Sequence, residues 1–96
     1  MIVEDYEEFK ELISAELLGT DLYQSTIFRE YGPADEIEKF LEKMKKEGLI
    51  KSYLTFNRDT KFRLTRSGLW EAKRAGVASL DVWASRLIDE WEDVGK

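Results

Sequence analysis

The chain has 96 residues, of which 43% are hydrophobic and 36% charged, a balance typical of one folded, helix-rich domain rather than a disordered chain. It contains no cysteine and no histidine, which excludes disulfides, thiol or imidazole catalysis and the usual zinc sites. Its net charge of −5, taken alone, disfavours a nucleic-acid partner.

The charge is distributed unevenly along the chain. Residues 1–38 contain 11 acidic and 2 basic side chains, which gives −9. Residues 39–76 contain 4 acidic and 11 basic ones (+7), and residues 77–96 contain 5 acidic and 2 basic ones (−3). A block of +7 in an acidic protein indicates a surface that faces a polyanion. The alternative is a solvated basic face that pairs with the acidic first helix.

The sequence offers no membrane-spanning or export segment. Its apolar runs are only a few residues long, and the first five residues lack the basic and apolar regions of a signal peptide. We therefore expect a cytoplasmic protein with no membrane partner. One Asn and one Gln against abundant Lys and Glu favour a thermophilic source, and a small archaeal or viral protein would fit.

The first third of the chain predicts two helices. Asp5 and Glu8 form a capping box for a helix from about Tyr6 to Leu18. Its apolar residues recur at helical spacing, at Phe9, Leu12, Ile13 and Leu17. A second helix carries Ile27, Phe28 and Tyr31 and ends at Gly32-Pro33. Leu22 and Tyr23 before it could instead form a short first strand.

A third helix is predicted over residues 33–47, with Pro33 in its first turn and Gly48 as its left-handed C-cap. The stripe that faces the core is Ile37, Phe40, Leu41 and Met44. On the opposite face, side chains four apart can pair, Asp35 with Lys39 and Glu42 with Lys46. Acidic residues at the N-terminal end of this helix count against strong sequence-specific contact with DNA.

A hairpin follows, with predicted strands from Ile50 to Phe56 and from Lys61 to Thr65 and a polar turn over residues 57–60. The side chains expected to face the core are Ile50, Leu54, Phe56, Phe62 and Leu64. Those expected to face outward are Lys51, Tyr53, Thr55, Lys61 and Arg63, with Arg58 at the tip. Phosphate contact and protection of an edge strand by lysine are both compatible with this outward set.

Two helices are predicted after the hairpin. Thr65 or Ser67 caps a helix from about Gly68 to Ala75, and Ser79 caps another within residues 77–96. The last helix has a heptad seam of Leu80, Ala84, Leu87, Trp91 and Val94, widened by Trp83 and Ile88. We expect these seven residues to form a dimer interface, and the alternative is packing against the first helix.

The order helix, Gly48-Leu49-Ile50, hairpin, Leu64-Thr65-x-x-Gly68, helix resembles that of winged helix-turn-helix domains, over roughly residues 5–75. The segment from Lys61 to Gly68 is similar to that of PadR-like and MarR-like transcription regulators. The resemblance implies a mainly α (α+β) fold. A winged helix-turn-helix domain with a two-stranded β wing would occupy residues 1–76, and an additional C-terminal helix residues 77–96.

The function expected from this resemblance is that of a small transcription regulator that binds double-stranded DNA as a homodimer. Its recognition helix would be residues 33–47 and its wing residues 50–65. The residues expected to contact DNA are Lys39, Lys43, Lys46, Lys51, Tyr53, Arg58, Lys61 and Arg63. The alternative is a winged helix used for protein–protein recognition, as an adaptor or accessory subunit without DNA binding.

The paired carboxylates of the chain, such as Asp35-Glu36 and Asp89-Glu90, do not indicate an enzyme. They are predicted on solvent-facing sides of amphipathic helices, without a glycine-rich phosphate loop or a nucleophile motif nearby. We therefore expect no catalytic activity, no metal and no cofactor.

Overall fold

The structure, a computed structural model, describes residues 1–76. In chain order these residues form α1 (Tyr6–Gly19), β1 (Leu22–Tyr23), α2 (Gln24–Glu30), α3 (Ala34–Lys46), β2 (Ile50–Leu54), β3 (Thr60–Leu64) and α4 (Arg66–Arg74). They make an α+β fold of four helices and a small antiparallel sheet. The helix predicted within residues 77–96 lies outside the described residues. No helix of the described part is both long and apolar enough to cross a membrane.

Helix α1 packs across the domain and contacts α3, α4 and β3. Its predicted cap is confirmed, because the Asp5 carboxylate accepts a hydrogen bond of 2.7 Å from the Glu8 amide. Phe9, Ile13 and Leu17 are completely buried, so the apolar face predicted from their spacing is the face that forms the core.

Helix α3 begins after Pro33, and its Ile37, Leu41 and Met44 are buried as the spacing predicts. Acidic side chains in its first turn and lysines in its last turn complement the helix dipole. Gly48 has φ 76°, which confirms it as the left-handed residue that ends this helix.

The sheet has the order β1-β3-β2, so β3 is its central strand. The pairing of β2 with β3 runs from Ile50 opposite Leu64 to Leu54 opposite Thr60. The prediction that β2 reaches Phe56, and that Leu54 and Phe56 face the core, is wrong. Leu54 is 72% exposed because it lies at the tip of the hairpin, next to the turn, and Phe56 is fully exposed because it belongs to the turn.

The two parts of the sequence motif meet in space where β3 leads into α4. The Thr65 hydroxyl donates to the Gly48 carbonyl and accepts from the Gly68 amide at 3.1 Å, while the Thr65 amide donates to the Leu49 carbonyl at 3.0 Å. A Cβ on Gly68 would lie only 2.1 Å from the Leu49 oxygen. Because its hydroxyl accepts from the Gly68 amide, Thr65 rather than Ser67 is the N-cap of α4. We call this set of contacts the Thr65 junction.

Candidate nucleic-acid interface

The outward face of α3 carries charges of both signs. A shallow groove along it is lined by Asp35, Glu38, Lys39, Glu42, Lys43 and Lys46. The ion pairs on this helix are three residues apart rather than the predicted four. The Lys39 ammonium lies 3.8 Å from Glu36, and that of Lys45 lies 3.7 Å from Glu42. Exposed pairs at these distances are weak, so the lysines can exchange them for another anion.

Lys43 differs from its neighbours because its ammonium lies 4.3 Å from the centroid of the Tyr6 ring. The Tyr6 hydroxyl donates to Glu47, and burial, with this carboxylate, raises the pKa of Tyr6 well above its usual range. These contacts connect the start of α1 to the end of α3. Lys43 is nevertheless exposed and lines the groove together with Lys39 and Lys46.

The β2–β3 hairpin gathers basic side chains on the sheet face that points away from the core. Lys51 lies opposite Arg63, and Tyr53 lies opposite Lys61, so each pair shares a face of the antiparallel sheet. The Lys61 ammonium also lies 4.9 Å from the ring centroid of Tyr23, its partner on β1. We call this surface, made by Lys51, Tyr53, Lys61 and Arg63, the basic face of the hairpin.

The Tyr53 hydroxyl is already used within the domain. It donates a hydrogen bond of 2.8 Å to the Asp21 carboxylate. Burial, together with this nearby carboxylate, raises the pKa of Tyr53. Within the basic face, Tyr53 therefore connects the hairpin to the segment before β1, and its three basic neighbours supply the positive charge.

A second side-chain bond holds the hairpin from α2, where the Ser25 hydroxyl donates to the Asp59 carboxylate at 2.5 Å. Sequence reasoning missed both this bond and the one from Tyr53 to Asp21. The partners are 34 and 32 positions apart, and no local pattern joins residues at such separations. The pairing of β1 with β3 and the packing of α2 on β3 bring these segments together.

Arg58 lies in the turn that closes the hairpin, with φ 65°, a left-handed conformation that is uncommon for a residue other than glycine. The turn spans residues 55–58, because the Arg58 amide donates to the Thr55 carbonyl at 3.0 Å. The turn thus begins two residues earlier than the sequence predicts. It places Arg58 and Phe56 together at the end of the hairpin.

The structure therefore brings Lys51, Tyr53, Lys61 and Arg63 onto one face of the hairpin, with Arg58 at its tip. Lys39 and Lys46 lie separately, on the exposed face of α3. The seven residues of the predicted dimer interface lie outside the described part of the chain. Within residues 1–76, no three side chains of the metal-binding types are grouped so that they could hold a metal ion.

No family model matches the chain, and no curated protein and no solved structure is significantly similar to it. Its function is therefore inferred from the geometry and charge of the hairpin and of α3.

Proposed function

We propose that this protein is a winged helix-turn-helix protein that binds double-stranded DNA. In this proposal α2 and α3 form the helix-turn-helix, α3 is the recognition helix, and the β2–β3 hairpin is the wing. The element order and the three-stranded sheet with β3 at its centre are compatible with that architecture. The observation that carries the function is the basic face of the hairpin, where cross-strand pairing groups three cations on one surface.

The contacts expected with DNA fall into two sets. Lys39 and Lys46, with Lys43 beside them, would approach the major groove, while Lys51, Lys61, Arg63 and Arg58 would contact the flanking backbone. Such contacts give affinity with little discrimination between sequences, because phosphates carry no sequence information.

The proposal includes a homodimer, formed through the seam of Leu80, Leu87 and Trp91. A two-fold pair would place two recognition helices about one helical turn of DNA apart, roughly 34 Å. Light scattering on the full-length chain measures its mass and so tests this part of the proposal directly. A two-fold homodimer of this kind would suit a transcription regulator that acts at a palindromic site.

Fluorescence anisotropy with a random 30-base-pair duplex at about 50 and 200 mM salt tests DNA binding. We expect Kd to rise steeply with salt, because each phosphate contact contributes about −0.9 to the slope of the log–log plot. The double variant Lys51→Gln/Lys61→Gln should reduce the magnitude of this slope by about 1.8.

The matched control is Lys10→Gln/Arg74→Gln, which removes the same charge from side chains that line a groove between α1 and α4. This control should change the slope much less than the hairpin variant does. Equal effects from the two variants would mean that net charge alone is responsible. Absence of binding by the unaltered protein at 50 mM salt would end the DNA proposal.

A second candidate function is protein recognition, as an adaptor or accessory subunit. The observation that favours it is the acidic beginning of α3, where Asp35, Glu36 and Glu38 are all exposed. Carboxylates at this end repel phosphates, whereas a basic protein surface would attract them.

A further inference from the structure

The tip of the β2–β3 hairpin presents apolar side chains to solvent. Leu54 is 72% exposed, Phe56 is fully exposed, and Tyr53 beside them is 42% exposed. Together with Thr55 these residues form a small continuous surface at the end of the hairpin. Single exposed apolar residues are common, but a leucine and a phenylalanine close together at the end of a hairpin in a highly charged domain indicate a binding surface.

The tip has a defined conformation. The Thr55 hydroxyl and the Thr55 amide donate to the Asp59 carbonyl at 2.8 and 3.1 Å, and the Asp59 amide donates to the Asn57 side chain at 3.3 Å. The Ser25–Asp59 and Tyr53–Asp21 bonds hold the same end of the hairpin from α2 and from the segment before β1. Phe56 is therefore held in a turn of defined conformation, which reduces the entropic cost of inserting it into a partner.

The charge around this apolar tip defines its partner. Residues 50–65 contain four basic side chains and one acidic one, a net charge of +3. The acidic side chain, Asp59, accepts the Ser25 hydroxyl. A second copy of this hairpin would be an unfavourable partner, because it would bring two surfaces of net positive charge together. A polyanion with apolar material between its charges is complementary, and duplex DNA has stacked bases between two rows of phosphates.

We propose that Phe56 is an apolar wedge that enters the minor groove of DNA and partly unstacks one base step, with Leu54 behind it and Arg58 on a flanking phosphate. This inference rests on the proposed DNA-binding function and assigns the hairpin tip a role beyond phosphate contact. The minor groove is about 6 Å wide, so it admits a single side chain at the turn rather than the two-stranded ribbon. Inserted apolar side chains kink the duplex and favour steps that unstack easily.

The experiment combines anisotropy with two measurements of DNA distortion. Energy transfer between the ends of a labelled 30-base-pair duplex reports bending, and 2-aminopurine placed at TA steps reports unstacking. The unaltered protein should shorten the end-to-end distance and increase the 2-aminopurine fluorescence. Phe56→Ala should abolish both signals and weaken binding about tenfold, a loss within the range of base–aromatic stacking. Its salt slope should remain unchanged.

Two control variants separate the wedge from other roles of the tip. Phe56→Leu keeps an apolar side chain at the turn and should retain part of the bend. Arg58→Asn removes the charge but suits the left-handed conformation, so it should reduce the slope by about 0.9 and leave the bend intact. Because Phe56 is fully exposed, the Tm of both Phe56 variants should equal that of the parent protein.

Four outcomes would overturn the wedge. If DNA binds without distortion, or if Phe56→Ala distorts it as the parent does, the wedge is wrong while DNA binding stands. If Phe56→Ala lowers the mass of the full-length protein in light scattering and leaves DNA affinity unchanged, the tip is instead an interface between copies. If the unaltered protein binds no duplex at 50 mM salt, the proposed function fails and the wedge fails with it.

Discussion

Of the glycines within residues 1–76, Gly68 has the least room for a side chain. A Cβ there would lie 2.1 Å from the Leu49 backbone oxygen and 2.9 Å from the Leu64 side chain. The first of these atoms belongs to the backbone and already accepts a hydrogen bond from the Thr65 amide, so it cannot move away easily. The glycine of the Leu-Thr-x-x-Gly motif is therefore required by close packing inside a helix.

We expect Gly68→Ala to lower the free energy of unfolding by about 1–3 kcal/mol, because overpacking outweighs the better helix propensity of alanine. Urea denaturation followed by circular dichroism measures this change. The control is Gly19→Ala, at the end of α1, where an added Cβ meets nothing within 4 Å. A Gly68→Ala protein as stable as the Gly19→Ala protein would show that the junction tolerates a side chain.

At the scale of elements, α3 has an acidic beginning and a basic end. This arrangement stabilises the helix through its dipole whatever the helix binds. It also gives a way to learn whether the helix faces DNA. Of the three acidic residues that line its groove, Asp35 and Glu38 lie toward the N-terminal end and would be nearest the phosphates.

If α3 faces the duplex, Asp35→Asn/Glu38→Gln should increase DNA affinity, and the gain should be smaller at 200 than at about 50 mM salt because screening weakens the repulsion. Anisotropy with the random duplex provides the measurement. Glu4→Gln/Glu11→Gln neutralises two exposed acidic residues outside α3 and serves as the control. An equal gain in both variants would assign the effect to net charge, and no gain in either would place α3 away from the DNA.

The helices could be predicted from the sequence because their signals are local. The Asp5 cap, the apolar stripe of α3 and the glycine that ends α3 each depend on residues within a few positions of one another. The hairpin was predicted at its base but not at its tip. Whether Leu54 is buried depends on which parts of the domain cover that end of the sheet, and the alternation of residue types along a strand does not contain this information.

The candidate site, too, was predicted only in part from the sequence. The alternation of residue types along the two strands predicted Lys51, Lys61 and Arg63 on one face of the hairpin. The pairing of β2 with β3 confirms this. The contact of Lys43 with Tyr6 and the bond from Tyr53 to Asp21 could not be foreseen, because each joins segments far apart in the chain.

At the scale of the whole molecule, the pH dependence of folding is influenced by a group of polar side chains between α1 and the end of α2. Glu16 is half-buried, and its Oε2 atom is buried without a hydrogen-bond partner. Burial raises the pKa of Glu16, the nearby Glu30 raises it further, and the hydrogen bond from Tyr31 only partly opposes these effects. The folded state therefore holds the Glu16 proton more strongly than the unfolded state does.

The contribution of Glu16 to stability is thus fully present below its ordinary pKa of 4.5 and is lost as the pH rises through the higher value of the folded state. Glu16→Gln removes the buried charge, so we expect it to raise Tm at pH 7 and to change Tm little at pH 4. Thermal unfolding at the two pH values measures this difference. Glu11→Gln, an exposed change on the same helix, should show no such dependence. A lower Tm for Glu16→Gln at pH 7 would contradict the assignment.

The Thr65 junction has a consequence for how this domain could be diversified. It closes the base of the hairpin with contacts from Gly48, Leu49 and Gly68, and none of its atoms belongs to the tip. Because the entropy of closing a loop grows only slowly with its length, residues near the tip can be replaced or extended while the base remains closed. The hairpin is therefore a natural position for grafting: new tip sequences could be displayed there and selected for new targets on an unchanged scaffold.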